Sequence, residues 1–513
     1  MKKKVIPLFI IPLLTIAAWY KILFQTFTGE GYIYLFRGVM KDPLTGIDNN
    51  FFRFNIGAAL LFDLIKPIFQ DNFFLYQSLL LFTIIILGIL FYFIVYGLTQ
   101  NKSIALISSI LFSINYNTAF EMIAIGAYHN FADRVFFLLI LFSSFILFIK
   151  FIDTKRTIFY LASLLLGVIG VFLSYFSFFY VPFLFFYALL AIFTRKIKFK
   201  EKRFLIICSF FYLIIMFLII NLPRFLKIPS MMPAEGFLDF LLTNPSQILI
   251  HFFRQLTIMS VPDFILRQFF AIFNIGFTQA IYYGNGIHYL YIPTFLIYIA
   301  AGIFLYKNQK KLRPVIIASL LFFPCIFLLN LYMRAEIVTL LEPGSRYLYA
   351  PSIAFSIFWG VFLATIYNRS EKAKPFIYLI IAFWIGIQLI SINRQIKQES
   401  NYHIATKKII SYFKDSLSTK LKENSIVLTP RPMGNWGSFF LNKFYGKKLT
   451  IFTPRMDSQF EWSNGYASPY SSAGSGKFRR SFDPKKDFII YYDFEREKVI
   501  DVTKDYKAII KYE

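Results

Sequence analysis

A glutamate held between two glycines, in Thr28-Gly29-Glu30-Gly31-Tyr32, follows directly on the first long apolar run of the chain. A carboxylate there can take a proton from a hydroxyl, and the glycines let the backbone turn tightly and approach a ligand. The same residue also reads as a solvated acid at a helix end. Arg53, in Phe51-Phe52-Arg53-Phe54, is a cation among aromatics and needs either an anion or a route to lipid headgroups. Arg334 and Arg346 come late, the second within Glu342-Pro343-Gly344-Ser345-Arg346-Tyr347-Leu348-Tyr349, where an apolar run resumes. A guanidinium at that depth either snorkels to the headgroups or grips a phosphate through two parallel N–H donors.

His129 and Asp133 are four residues apart in the segment that opens another apolar run, so on a helix they share a face. Two ligands without a third do not make a zinc site, and a hydrogen-bonded helix end is the plainer reading. Asp48, in Gly46-Ile47-Asp48-Asn49, reads as a turn residue and is kept as a supporting acid. The chain shows no nucleotide-binding loop, no Ser-His-Asp arrangement and no defensible cysteine nucleophile. Its two cysteines, Cys208 and Cys325, both fall within apolar runs and read as buried structural thiols.

The elements that must position these residues are membrane spans. Of 513 residues, 57% are hydrophobic and only 16% charged, which does not describe a water-soluble surface. Apolar runs long enough to span centre on Leu14, Ile85, Ile110, Phe142, Leu166, Phe185, Phe211, Leu296, Phe322, Ser356 and Phe383, so about eleven transmembrane helices are expected. The charge-free stretch from Thr157 to Thr194 is about twice a span and is divided into a hairpin. The basic start, Met1 to Lys4, leads into an apolar run without a small-residue cleavage site and reads as a retained first helix.

Alternate gaps between spans carry Lys and Arg: Gln100 to Ser103, Lys150 to Arg156, Arg195 to Arg203, Lys307 to Arg313 and Arg369 to Lys374. These are the expected cytoplasmic gaps, with a cytoplasmic N-terminus, and the acids and the arginines singled out above then lie on the other side. The same pattern accounts for much of the net charge of +26 and removes nucleic acid as the expected partner. Two segments in the outer gaps, Phe51 to Phe69 and Gln247 to Phe273, read as helices lying along the membrane surface. Residues 1–394 form the expected transmembrane domain. Residues 395–513 form a small extracytoplasmic α/β region, with a polar helix over Asn401 to Leu421 and strands at Ser425 to Thr429, Leu449 to Phe452 and Asp487 to Tyr492.

Outside the cytoplasmic membrane there is no pool of ATP or nucleotide sugars, so group transfer there calls for a lipid-linked donor. A phosphate leaving group needs cations more than a proton, and an acceptor hydroxyl needs a base. One carboxylate and one or more arginines suffice.

Four segments resemble the membrane glycosyltransferases of the GT-C superfamily, closest to the protein O-mannosyltransferase-like branch. Glu30 stands where that family keeps an acidic motif in its first outer loop, and Phe52-Arg53-Phe54 is similar to the arginine-containing start of the loop helix. The stretch from Leu111-Phe112-Ser113-Ile114-Asn115-Tyr116 through Glu121 to Ala132-Asp133 looks like the connection between the third and fourth helices, and Ser345-Arg346-Tyr347-Leu348-Tyr349-Ala350-Pro351-Ser352 like the return of a late helix to the membrane. The likeness covers about residues 1 to 395. It implies transfer of a sugar from a polyprenyl-phosphate donor to an acceptor hydroxyl of a protein or glycan on the outer face of the cell membrane. Glu30 would be the base, Arg346 with Arg53 or Arg334 would hold the donor phosphate, and Asp48, His129, Asp133 and Tyr347 would be in support. The family often has paired acids after its first helix, whereas Gly29 precedes Glu30 here, and Ser174-Tyr175-Phe176 replaces a charged pair. The sequence leaves open whether a divalent metal assists.

Two other readings compete. A transporter or envelope-assembly protein would be non-enzymatic, and a transporter should place charges in mid-span and break its helices in matching halves. A lipid-linked glycan polymerase or ligase would use the same donor.

Overall fold

The computed structural model describes residues 2–25, 72–115, 136–173, 199–225, 245–261, 292–333, 349–369, 371–423, 425–428, 450–452, 483–493 and 495–505, with isolated residues between 61 and 70, 187–193 and 242–243. Helix dominates. The longer helices are α1 (Lys2–Trp19), α2 (Phe73–Thr99), α3 (Lys102–Ser113), α4 (Phe137–Thr154), α5 (Thr157–Leu173), α6 (Phe199–Phe225), α7 (Pro245–Ser260), α8 (Ile292–Asn308), α9 (Arg313–Met333), α10 (Tyr349–Arg369) and α11 (Lys374–Tyr412).

Among the described residues, two helical segments are long and apolar enough to cross a membrane, Phe73–Thr99 and Glu371–Arg394. Shorter apolar helices accompany them, including Leu8–Phe24, Thr157–Gly170 and Ile292–Asn308. Large apolar side chains cover the outside of the bundle: Phe9 of α1, Phe82 of α2, Leu165 of α5, Ile207 of α6 and Phe383 of α11 are all exposed. A surface of that kind is matched to lipid and not to water.

Local signals set the turns. Gln100 closes α2 in the left-handed region, φ 54°, with its N–H on Tyr96 O at 2.7 Å. Asn101 then caps α3, its Oδ1 accepting from the Ser103 and Ile104 amides at 2.9 and 3.2 Å. Lys155 closes α4 in the same left-handed way, φ 58°, and its ammonium pairs with Glu201 at the start of α6. That pair is half exposed and adds little stability. Its value is geometric, because it brings two of the basic gaps to one end of the bundle.

Small residues bring the helices close. A Cβ on Gly97 of α2 would stand 2.9 Å from Ile149 Cγ2 of α4, and one on Gly360 of α10 would stand 3.0 Å from the Cα of Ser108 in α3. The second approach is to backbone, so no side-chain rotation could relieve it. Phe91, Phe112 and Phe142 tie α2, α3 and α4 together with ring centroids 4.5 to 6.1 Å apart. On the other side of the bundle Tyr298 of α8 stacks on Phe358 of α10 at 4.3 Å.

The polar helix expected over Asn401 to Leu421 is continuous with the last apolar run. α11 has 39 residues without a break, and a short π-helical turn, Phe413–Leu417, follows it. The boundary expected near residue 394 therefore lies inside a helix. On the far part of α11 sits a four-stranded sheet of β1 (Ile426–Leu428), β2 (Thr450–Phe452), β3 (Phe488–Asp493) and β4 (Lys498–Asp501), in the order β2-β1-β3-β4. β1 pairs in parallel with β2 and β3, and β3 pairs antiparallel with β4. Ala405, Ile409 and Phe413 share one buried core with Val427, Ile490 and Tyr492, so helix and sheet form one body. The three strands expected from the sequence are present within a residue or two. The fourth was missed because Lys498-Val499-Ile500-Asp501 offers only two apolar residues. α7 overlaps the segment expected to be a surface helix, and residues past 261 lie outside the described residues.

Candidate functional site

The first loop is rooted with unusual firmness. Trp19 is fully buried, and its Nε1 donates to Ser113 O at 2.9 Å, tying the end of α1 to the end of α3. A 3-10 turn over Tyr20–Phe24 carries the chain on to Gln25, where the backbone becomes extended. Gln25 is 4% exposed and its Nε2 donates to Ile396 O of α11 at 3.3 Å; Lys407 Nζ, also on α11, donates to Phe24 O at 2.5 Å. Burial holds the Lys407 ammonium below the ordinary lysine range. Five residues beyond Gln25 comes Glu30.

The other loops start from the same end. Tyr367 of α10 and Tyr378 of α11 have their hydroxyls 2.9 Å apart, so the two helices form an antiparallel pair. About 18 residues back along α10 from that contact is Tyr349, and about 18 forward along α11 is Ile396, each about 27 Å away at 1.5 Å per residue. Tyr349 and Gln25 are therefore at one level. The opposite end collects the basic turns: Arg313 lies over Tyr306 at 4.4 Å, and Arg369 over Phe304 at 5.7 Å. Since α9 begins there, its last residue, Met333, is at the level of Tyr349. α3 ends at the same level through Trp19, with Asn115 fully buried. The described residues that flank segments 26–60, 116–135 and 334–348, namely Gln25, Asn115, Met333 and Tyr349, thus gather at one end of the bundle.

Glu30, Asp48, Arg53, His129, Asp133, Arg334, Arg346 and Tyr347 all belong to these loops and lie outside the described residues. What the helices establish is common origin: the loops carrying the acid, the histidine and the arginines are rooted together. Cys208 is half-buried in α6, and Tyr160 Oη donates to its carbonyl at 3.2 Å, in keeping with a structural thiol. Among the described residues no three His, Cys, Asp or Glu come together as a metal site.

Beside the root of the first loop is a cavity of about 510 Å³ that the sequence reading missed, lined by Lys21, Phe24, Gln25, Asn393, Arg394, Ile396, Lys397 and Ile404. In the sequence Lys21 lies near the end of the first apolar run, and Arg394 lies where α11 passes from apolar to polar residues. The available signal was three cations at the ends of two spans. Nothing local says that the two ends, more than 370 residues apart, meet.

No family profile and no curated protein matches the chain by sequence. Solved structures that align with it include the oligosaccharyltransferase of Archaeoglobus fulgidus in complex with Zn and sulfate, at 11% identity over 94% of this chain and 67% of that one, with a TM-score of 0.45. The archaeal oligosaccharyltransferase AglB from the same organism, in complex with an inhibitory peptide and a dolichol-phosphate, aligns at 10% identity over 95% and 69%, also at 0.45. This chain spans about two thirds of the length of those proteins. A likeness of this degree extends to neither substrate nor site.

Proposed function

We propose that the chain is a membrane glycosyltransferase of GT-C type that moves a sugar from a polyprenyl-phosphate donor to an acceptor hydroxyl at the outer face of the cell membrane. The observation that carries this reading is the rooting of loops 26–60, 116–135 and 334–348 at one end of the bundle, away from the basic turns. Those loops hold the residues suited to the reaction. In the scheme, Glu30 removes the proton from the acceptor hydroxyl as its oxygen attacks the anomeric carbon. The bond from that carbon to the phosphate oxygen breaks, polyprenyl phosphate departs, and the configuration inverts. Arg346, with Arg53 or Arg334, stabilises the charge that develops on the departing phosphate. Asp48, His129, Asp133 and Tyr347 are in support. The resemblance of the four sequence segments favours the protein O-mannosyltransferase-like branch.

A transporter is disfavoured by the helices themselves. In α2 and α5 there is no charged residue, and in α4, α8, α9 and α10 the charged residues stand at the ends. That is the pattern of chemistry at one interface and not of a charged path through the membrane. Purified protein in lipid nanodiscs, given a polyprenyl-phosphate hexose with a radiolabelled sugar, should release polyprenyl phosphate and label a hydroxylated peptide or glycan. Donor that stays intact with every acceptor class would overturn the proposal.

The same reading proposes about eleven spans, a cytoplasmic N-terminus and an outer C-terminal region. A cysteine at Ser471 should react in intact cells with a membrane-impermeant thiol reagent, and one at Gln309 should not. The reverse pattern would place Glu30 on the cytoplasmic side and sink the mechanism.

A further inference from the structure

The cavity beside Gln25 has the composition of a lipid-headgroup site. Lys21 comes to it from the 3-10 turn that follows α1, and Arg394 and Lys397 from successive turns of α11. Its depth is set by α11. The apolar segment ends at Arg394, about 30 Å along the helix from the basic turn at Lys374, which is one hydrocarbon thickness. The cations therefore stand where a phosphate would lie. Below them the flanking helices turn apolar faces outward, with Leu13 and Ile16 of α1 and Phe383 and Ile390 of α11 exposed; Phe24 and Ile404, both also exposed, complete the wall. A charged pocket above two greasy helix faces matches a phosphate with acyl chains beneath it.

We infer that this cavity binds one anionic phospholipid, its phosphate on Lys21, Arg394 and Lys397. Such a lipid joins the 3-10 turn after α1 to the end of the apolar part of α11. It thereby reinforces the root of the first loop, which Gln25 and Lys407 already hold. The inference does not depend on the transfer reaction.

The probe is phosphatidylglycerol, a phosphodiester lipid with headgroup hydroxyls. Full-length protein taken from nanodiscs of phosphatidylcholine with phosphatidylglycerol should, in native mass spectrometry, retain one phosphatidylglycerol under activation that strips phosphatidylcholine. Arg394→Gln with Lys397→Gln should reduce that retention tenfold or more, and Lys21→Gln, on a different helix, should do so as well. The charge-keeping Arg394→Lys and Lys397→Arg pair should restore it, which separates charge from damage to the fold. Equal retention by the Gln variants and the native protein would overturn the inference. So would displacement of the lipid by excess inorganic phosphate, which would mark a free-anion site, or by equimolar polyprenyl phosphate, which would assign the cavity to the donor.

Discussion

Glu30→Gln should lower sugar transfer about a hundredfold or more while leaving donor binding intact. The amide keeps the size of the side chain and most of its hydrogen bonding but has no basic oxygen. An acceptor hydroxyl would then have to lose its proton to water as it attacks. The change acts only in the transition state, so turnover should fall without a matching rise in the donor concentration needed for half-maximal rate. The measurement is initial rate against donor concentration on reconstituted protein, with donor binding followed separately by equilibrium titration. Transfer at the native rate would move the base to Asp48 or Asp133, or would mean that the chain does not catalyse transfer. The location of the residue makes the test sharp. Gln25, five residues before it, is pinned to α11, so the substitution falls on a loop whose root is held from below and should not unseat the bundle.

Arg346→Lys is the second large effect, and Lys is a sharper replacement than Ala because it keeps the positive charge. If Arg346 holds the donor phosphate with two parallel N–H donors, loss of the planar fork should weaken donor binding by about 1 to 3 kcal/mol. Binding of labelled polyprenyl-phosphate hexose to purified protein, with thermal stability measured alongside, reads this directly. A residue that only snorkels to the headgroups would be replaced by Lys with almost no change. Full affinity in a stable variant would therefore pass the phosphate to Arg53 or Arg334. Arg346 lies three residues before α10 in the chain.

The two substitutions also separate from the lipid cavity. Lys21, Arg394 and Lys397 line the pocket, whereas Glu30 and Arg346 are not among its lining residues. Loss of phosphatidylglycerol from the cavity should leave the chemistry of Glu30 untouched in kind and alter only how firmly its loop is rooted.

Much of this protein was legible in the sequence because the deciding quantities are local. Apolar length marks helices such as Phe73–Thr99 and Glu371–Arg394, and the short β-branched runs near Val427, Ile451 and Ile489 mark strands. The depth and residue type of Glu30 and Arg346 were enough to nominate them, since an acid or an arginine beside a span is costly wherever the helices pack. What tertiary structure decided is every contact between residues distant in the chain. Gln25 meets Ile396 across 371 residues of sequence, and Trp19 meets Ser113 across 94. The continuity of α11 through Arg394 was also beyond composition, because a helix half in an apolar setting and half in a polar one changes its pattern without breaking its hydrogen bonds. Periodicity reports which face of a helix is apolar, and length reports how far it reaches. Which neighbour fills the groove depends on shape, as where Gly360 admits the backbone of Ser108. Only the packed chain expresses that shape, and it brought Lys21 and Arg394 to one cavity.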